Sequence, residues 1–418
     1  MSIETRLAWR NLWRNPRRTA LSVAATVFAV VLVMLSEGMG AGSHEKMIED
    51  AVRLQSGHVA ISGAGYRDHM TLDYFLPWSP ELVEIADSVP SARAWAPRII
   101  SFALVSLADA SRGVMVMGVD PEREPSVTTI SKKVDAGHFL SAQRAPGVRE
   151  IVLGERLAQD LGAQLGDEVL LYGAAYSLEN AYELFTLTGI VDLPDPKIER
   201  NLALIHIEDA REFYVYDDRV TEIALLARDA DHAPLLIAEL EGALVPLAPD
   251  GGVFEVQGYE EMMPALVQFI LLDDAGLYIM LVILVVVVGF GILNTILMAI
   301  LERTRELGVV LALGLRPAAL FRMVYLESML LAAVGLGLGL AIALPALLYL
   351  NGMEFALTGD DLAATAEFVG MEPVLTFKLK PLNPLGSVLT ILGVAALAAL
   401  YPALKASRGR PVDALRSP

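Results

Sequence analysis

The sequence has no cysteine. Disulfide scaffolds, thiolate zinc sites, iron–sulfur clusters and cysteine nucleophiles are therefore excluded. Lysine is scarce: Lys46, Lys132, Lys133, Lys197, Lys378, Lys380 and Lys405 are the full set, and none follows a glycine. A phosphate-cradling P-loop needs Gly-Lys followed by Ser or Thr, so the chain carries no Walker A motif. The histidines (His44, His58, His69, His138, His206 and His232) show neither HExxH spacing nor a pairing suited to a metal. No Gly-x-Ser-x-Gly elbow is present. The chain is thus expected to hold no catalytic residue, cofactor or metal of its own. The formal net charge of −18 argues against nucleic acid as a partner.

Apolar residues, by contrast, make up 54% of the chain, with mean hydropathy +0.50. They are clustered. A hydrocarbon core needs about 20 mostly apolar residues to cross it. Thr19–Met39, Ala275–Leu301, Phe321–Leu350 and Leu385–Leu404 each meet that length. The first has a second reading. Arg14, Arg17 and Arg18 before Ala20–Leu35, with small residues from Gly38 to Ser43, also have the outline of a cleavable secretory signal. Basic residues crowd one side of these runs: Arg6, Arg10, Arg14, Arg17 and Arg18; Arg303, Arg305, Arg316 and Arg322; Lys405, Arg408, Arg410 and Arg416. The positive-inside rule then places 1–18, 302–320 and 405–418 in the cytoplasm, and 40–274 and 351–384 outside.

The 40–274 segment reads as an α+β domain. Helical signals fall at Glu45–Leu54, Pro80–Asp87, Gly154–Leu161 and Ile207–Tyr214. Strand-like runs fall at His58–Ile61, Ile99–Leu107, Gly113–Val119, Glu168–Tyr172, Leu184–Val191 and Glu222–Leu226. Gly162 suits a helix C′ position and Gly166-Asp167 a tight turn. His44–Leu54 reads as a continuation of the first run, and Gly258–Asp274 as a helix entering the second. Ala275–Leu301 alone is about 40 Å long, more than the roughly 30 Å hydrocarbon core. A protruding helix pair would make a mechanical stalk; tilt accommodates the same length. Asp273-Asp274 and Asp360-Asp361, adjacent in sequence, read as solvated flanks.

Gly335 and Gly339 share one helix face, a small-xxx-small pattern that lets helices approach closely, within the bundle or between two copies. Pro345 is expected to kink the outer end of that run. Glu327 is the one ionisable residue near mid-depth; about two turns inside the cytoplasmic face, it reads as a capping or snorkelling group. The 302–316 stretch fits a short amphipathic helix, with Leu307, Val310 and Leu311 on one stripe and Glu302, Arg303, Arg305 and Glu306 at its start. Gly308 and Gly314 allow close approach and a helix stop. An interfacial helix lying on the bilayer has the same pattern.

Met298–Gly314, followed by Tyr325-Leu-Glu-Ser328, resembles the second-span exit, coupling helix and third span of FtsX-like/MacB-type ABC transporter permeases. Tyr401–Ser407 and Pro411–Arg416 resemble the closing signature of that family, and Leu7–Arg18 its N-terminal cytoplasmic amphipathic helix (1–18). The resemblance implies a four-span α-helical membrane protein (19–39, 275–301, 321–350, 385–404). A large MacB-like periplasmic core domain with stalk helices (40–274) would be inserted between spans 1 and 2, with a coupling loop at 302–320, an outer loop at 351–384 and a tail at 405–418. It also implies separate cytoplasmic ATPase subunits that hold ATP and Mg, and a second permease subunit, identical or different. The ATPase contact falls to Glu302, Arg303, Arg305, Glu306, Leu307, Gly308, Leu311 and Gly314. Gln55–Ile61 is most similar to the lipoprotein-releasing LolC/LolE branch, while Gly189–Arg200 departs from it. The branch implies a protein of the bacterial inner membrane that transmits ATP-driven motion and extracts lipoproteins from the outer leaflet, with membrane lipids and a periplasmic carrier as partners. The wider family offers two alternatives: MacB-like export of amphiphiles or peptides, and FtsX-like activation of a cell-wall hydrolase.

Overall fold

A computed structural model describes residues 16–247, 254–356, 374–380 and 383–408. The 1–15 segment, Pro411–Arg416 and most of the 357–384 stretch lie outside them. Contacts divide the chain into two units. One comprises Met1–His44, Phe269–Phe355 and Val374–Pro418; the other comprises Glu45–Gln268 and Ala356–Pro373.

Helix α1 (Pro16–Leu54) runs without a break from the first apolar stretch through Glu45–Leu54 and contributes to both units. The second unit follows with strands β1 (Val59–Gly63) and β2 (Leu76–Pro77), helix α2 (Pro80–Ser88), β3 (Ala92–Leu107) and β4 (Ala110–Val119). Then come β5 (Val134–Gly137), β6 (Glu150–Gly154), α3 (Glu155–Leu161), β7 (Glu168–Ala174) and β8 (Asn180–Val191). Helix α4 (Pro196–Asn201), β9 (Leu202–His206), α5 (Ile207–Tyr214), β10 (Arg219–Val220), β11 (Glu222–Ala227), α6 (Ala233–Leu244) and β12 (Phe254–Gly258) complete it.

Strand β3 belongs to two arrangements. Its first half lies in an antiparallel sheet of order β12-β1-β11-β3. Its second half joins a ring that closes on itself, β3-β4-β9-β6-β8-β7 and back to β3, where Ala103–Ser106 pair with Gly173–Leu170. Closure removes the edges that an open sheet would expose. One apolar core serves both parts, including Ile61, Leu82, Ile99, Val105, Phe185 and Leu240.

Local signals in the sequence match these elements. Ser79 caps α2 by accepting from Leu82 N, and Pro80 opens the helix at a position that needs no donor. Gly162 ends α3 at φ +67° and Gly166 turns the chain at φ +91°, both left-handed values that glycine adopts without strain. The Gly189–Arg200 stretch folds into the end of β8 and α4. Asp195 caps α4, and the buried Glu199 carboxylate accepts from Leu193 N and Arg156 Nε. Burial raises the Glu199 pKa against the lowering effect of those two bonds. The expected unbroken helix from Gly258 differs from the structure. Strand β12 runs to Gly258, a short turn of helix covers Tyr259–Met262, and Met263 breaks it at φ −126°, ψ 61°. Pro264 is the reason: the residue before a proline is pushed out of helical conformation.

In the other unit, helix α7 (Pro264–Glu302), which like α1 contributes to both units, is followed by α8 (Thr304–Ala312), α9 (Pro317–Leu350) and α10 (Asn383–Ser407). Helices α1, α7, α9 and α10 are each long and apolar enough to cross a membrane. Two clusters hold them together. Ala29, Val30, Val33, Met34, Leu336, Ala343, Leu347 and Ile391 form one; Ile292, Ile296, Ile300, Leu307, Leu320, Val324, Ala399 and Ala403 form the other. Pro345 lies inside α9, which continues through it to Leu350.

Candidate coupling site

The site is built where α7 stops and α8 begins. Arg303 is the single residue between them, at φ −107°, ψ 13°. Thr304 Oγ1 donates to the carbonyls of Ile300 (3.1 Å) and Leu301 (2.9 Å), which have lost their helical partners at this end. The far end of α8 is closed by a Schellman motif. Gly314 N donates to Leu311 O at 3.0 Å, Leu315 N donates to Val310 O at 3.3 Å, and Gly314 takes φ +95°. Helix α9 then starts with Pro317 in its first turn. A short helix is thus held at a fixed angle to two long apolar ones.

Helix α8 turns Thr304, Leu307, Gly308 and Leu311 toward the bundle, the i, i+3, i+4, i+7 stripe of an amphipathic helix. Leu307 and Gly308 are buried and Leu311 half-buried. The expected stripe of Leu307, Val310 and Leu311 is therefore rotated: Val310 lies past its edge and is exposed. Glu302, Arg305, Glu306, Val309, Val310 and Leu313 form the outward ridge. Between the inner stripe and the end of α10 lies a groove of about 230 Å³ lined by Ile300, Leu301, Leu307, Leu311 and Lys405. Of the residues singled out as coupling contacts, Glu302, Arg305 and Glu306 are on the ridge, Arg303, Leu307, Gly308 and Leu311 are turned inward, and Gly314 shapes the end.

Arg303 Nη1 donates to both carboxylate oxygens of Glu327 on α9, at 3.2 and 3.4 Å, and its Nε lies 3.4 Å from Glu306 Oε2. Their side chains are 18% (Arg303) and 15% (Glu327) exposed. Glu327 thus has an arginine partner. Deeper in the bundle, α1 and α9 pack through the two glycines. A Cβ on Gly335 would lie 2.6 Å from Thr26 Cβ, and one on Gly339 would lie 2.6 Å from Val30 Cβ. Ser387 Oγ on α10 donates to Glu37 on α1 at 2.8 Å.

Sequence reasoning missed a clasp between α1 and α7. His44 Nε2 is 2.7 Å from Asp273 Oδ2, and its Nδ1 is 3.4 Å from Asp274 Oδ1. The two acids, read as solvated flanks, do diverge. The imidazole has a nitrogen on each side, so one ring meets both. The signal in the sequence was a histidine and an acid pair each just beyond an apolar run.

In the second unit a buried chain of charges joins β3, β11 and the turn of helix at Glu124–Val127. Arg98 donates to both oxygens of Glu124 (2.7 and 3.1 Å) and to Glu222 (3.2 Å), Arg67 donates to Glu222 (2.6 Å), and Thr128 Oγ1 donates to Glu124 (2.9 Å). Burial works to lower the Arg98 pKa, but Glu124 and Glu222 outweigh it and raise it. His58, in the Gln55–Ile61 motif, is fully buried with neither ring nitrogen hydrogen-bonded and Nε2 3.7 Å from Glu49 Oε2. Burial lowers its pKa, against the raising effect of Glu49. On the outside of the ring, Phe102, Leu104, Leu170, Tyr172, Tyr182 and Leu184 are exposed on paired strands.

The MacB-like periplasmic core domain matches residues 19–243, and the FtsX-like permease C-terminal region matches residues 278–411. The lipoprotein-releasing system transmembrane protein LolC of Neisseria meningitidis is 26% identical over 84% of this chain and 83% of its own length. LolE of Haemophilus influenzae is 25% identical over 78% of each. The macrolide export ATP-binding/permease protein MacB of Bdellovibrio bacteriovorus is 24% identical over 93% of this chain and 57% of its own length. Its name joins an ATP-binding part to a permease, and the unmatched remainder is consistent with the missing P-loop here. One matched region covers the closed-ring domain and the other the coupling helix and the apolar helices after it, so this chain belongs to the FtsX-like, MacB-type family of ABC transporter permeases, which work with ATPase subunits.

Proposed function

We propose that this permease moves lipoproteins out of the outer leaflet of the bacterial inner membrane. A separate ATPase subunit, holding ATP and Mg, docks on the outward ridge of α8 through Glu302, Arg305 and Glu306. Leu307, Gly308, Leu311 and Gly314 keep that ridge in shape. The observation that carries the reading is the coupling helix itself: a capped, charged-ridge helix wedged between two apolar ones, next to exposed Arg316, Arg322, Lys405 and Arg408. By the positive-inside rule those basic residues support a cytoplasmic side for α8 and both termini, with the β-rich domain inserted between spans 1 and 2 and lying outside. Two permease subunits, identical or different, flank the cargo, and α1 and α7 serve as its stalks.

A lipoprotein's acyl chains lose about 0.8 kcal/mol per CH₂ on leaving lipid, so the route needs apolar protein surface. The exposed stripe on β3, β7 and β8 is suited to an acylated cargo or to its periplasmic carrier. Similarity to LolC over 84% of this chain favours this cargo. Similarity to MacB over 93% of the chain favours a second reading, export of an amphiphile already outside the cytoplasm.

The test is reconstitution with the ATPase in proteoliposomes containing a triacylated lipoprotein. ATP-dependent release to a soluble carrier is expected, and Glu306→Lys is expected to abolish both ATPase retention and release. Release of a macrolide but of no lipoprotein would select the second reading. Wild-type retention and release in Glu306→Lys would remove α8 as the docking element.

A further inference from the structure

Arg303 differs from the other arginines of its loop. Arg305, Arg316 and Arg322 are exposed, whereas Arg303 turns inward from the one non-helical residue between α7 and α8. It meets two carboxylates of different standing. Glu327 is on α9, mostly buried, with both oxygens within 3.4 Å of Nη1. Glu306 is on the outward ridge of α8, about half exposed, with Oε2 3.4 Å from Nε. Around the inner pair the walls are mostly apolar: Ile296, Leu307, Met323, Val324 and Leu331 line the same small cavity, together with Ser22 and Ser328.

An ion pair in such surroundings is a poor source of stability, because desolvation offsets its attraction, and apolar side chains of similar volume do as well. What it supplies instead is registry. Its charge-assisted hydrogen bonds need a set reach and angle that apolar contact does not, so it selects one arrangement of two elements. Here the elements are the junction at the head of α8 and the third long helix.

We propose that Arg303 is a positioning residue that relays the state of the docking ridge to α9 by being shared between Glu306 and Glu327. This rests on α8 being the ATPase contact. A cationic group of the docked partner that engages Glu306 withdraws it from Arg303, and the guanidinium then closes fully on Glu327. Release of the partner restores the sharing. Coupling of this kind is a free-energy difference between two arrangements, and it acts in both directions: the position of α9 alters how strongly the ridge holds its partner.

The experiment compares Glu327→Gln, Glu327→Asp and the exchanged pair Arg303→Glu/Glu327→Arg in the assembled permease–ATPase complex in nanodiscs. Three quantities are read: ATPase retained on the permease, ATP hydrolysis relative to the ATPase alone, and labelling of a cysteine placed at exposed Ala318, in the first turn of α9 and off the docking ridge, clean because the chain has none. With Glu327→Gln, retention is expected to persist while permease-dependent stimulation falls about ten-fold, within the usual range of coupling effects. The partner-induced change in Ala318→Cys labelling is expected to disappear. Glu327→Asp, which keeps the charge with a shorter reach, gives a smaller loss, and the exchanged pair recovers most of the stimulation. Unchanged stimulation in Glu327→Gln, loss of ATPase retention in that variant, or no recovery in the exchanged pair would each overturn the proposal. Failure of the underlying docking reading shows up separately, as normal retention in Glu306→Lys.

Discussion

The two units solve opposite solvation problems with overlapping residue types. In the β-rich unit, most buried apolar side chains meet in one shared core, and the buried charges around Arg98 are paired with one another. Arg98 and Glu222 are 0% exposed and Glu124 1%, with each other as partners. In the helical unit, apolar side chains mostly face out. Only 6% of the most apolar stretch of α7 is buried, and Tyr278, Ile279, Val282, Ile283, Val286, Val287 and Phe290 are all exposed. Its charged cross-links, Arg303 with Glu327 and His44 with Asp273 and Asp274, sit toward the helix ends and keep some exposure. A water-soluble fold and a lipid-facing one thus share a chain, and the contrast lies in which side of each element is dry.

The comparison breaks most visibly at Arg98. Arg98→Ala leaves Glu124 and Glu222 buried without their common cation, and is expected to cost about 3–5 kcal/mol. Urea denaturation followed at Trp78 and Trp95, with Trp9 and Trp13 changed to Phe, would measure it; a cost under a tenth of that would mean the charges are not confined as described. In the helical unit the sensitive feature is close packing. Gly339→Leu drives a side chain into Val30 and is expected to destabilise the α1–α9 contact by about 1–3 kcal/mol, read as a lowered melting temperature in detergent.

A smaller, pH-dependent effect is expected at His58. Its folded pKa is lowered by burial from the usual 6.5. The unfolded chain therefore binds the proton first, and the stability present above pH 6.5 is lost as pH falls toward the folded value. His58→Phe should flatten that part of the stability–pH curve relative to wild type; identical curves would show that His58 does not titrate differently on folding. The least effect is expected at Ile283. Ile283→Ala on the outer face of α7 should change the stability of the detergent-solubilised chain by less than about 0.5 kcal/mol, and a larger loss would reveal a protein neighbour on that face.

Much of this was legible in the residues because the signals are local. Ser79-Pro80, Gly162 and Gly166 act within one turn, and the strands at Gly113–Val119, Glu168–Tyr172 and Glu222–Leu226 alternate or run apolar over their own length. The expected limits of the coupling helix likewise rest on Gly314 and the charge-rich start at Glu302. Strand β9 (Leu202–His206) was not read, because a short apolar run after Pro196 gives no period of its own. Its strand character comes from pairing in parallel with β4 and antiparallel with β6. The first half of β3 was missed for the same reason, since Arg93, Pro97 and Arg98 mask a strand that is defined by its register with β11.

The sequence by itself determined where apolar length suffices to cross a bilayer, where charge collects, that no P-loop is present, and which short helix separates two long ones. These follow from composition and spacing, which act over a few residues. Only the tertiary structure decided that β3 is shared between an open sheet and a closed ring, that Arg98 is satisfied by two acids from separate elements, and that Arg303 turns from its neighbours toward Glu327. Those outcomes depend on pairs up to 135 positions apart, Ala92 with Ala227 being the widest. An ion pair's energy depends on angstroms of separation in space, and spacing along the chain does not carry that information.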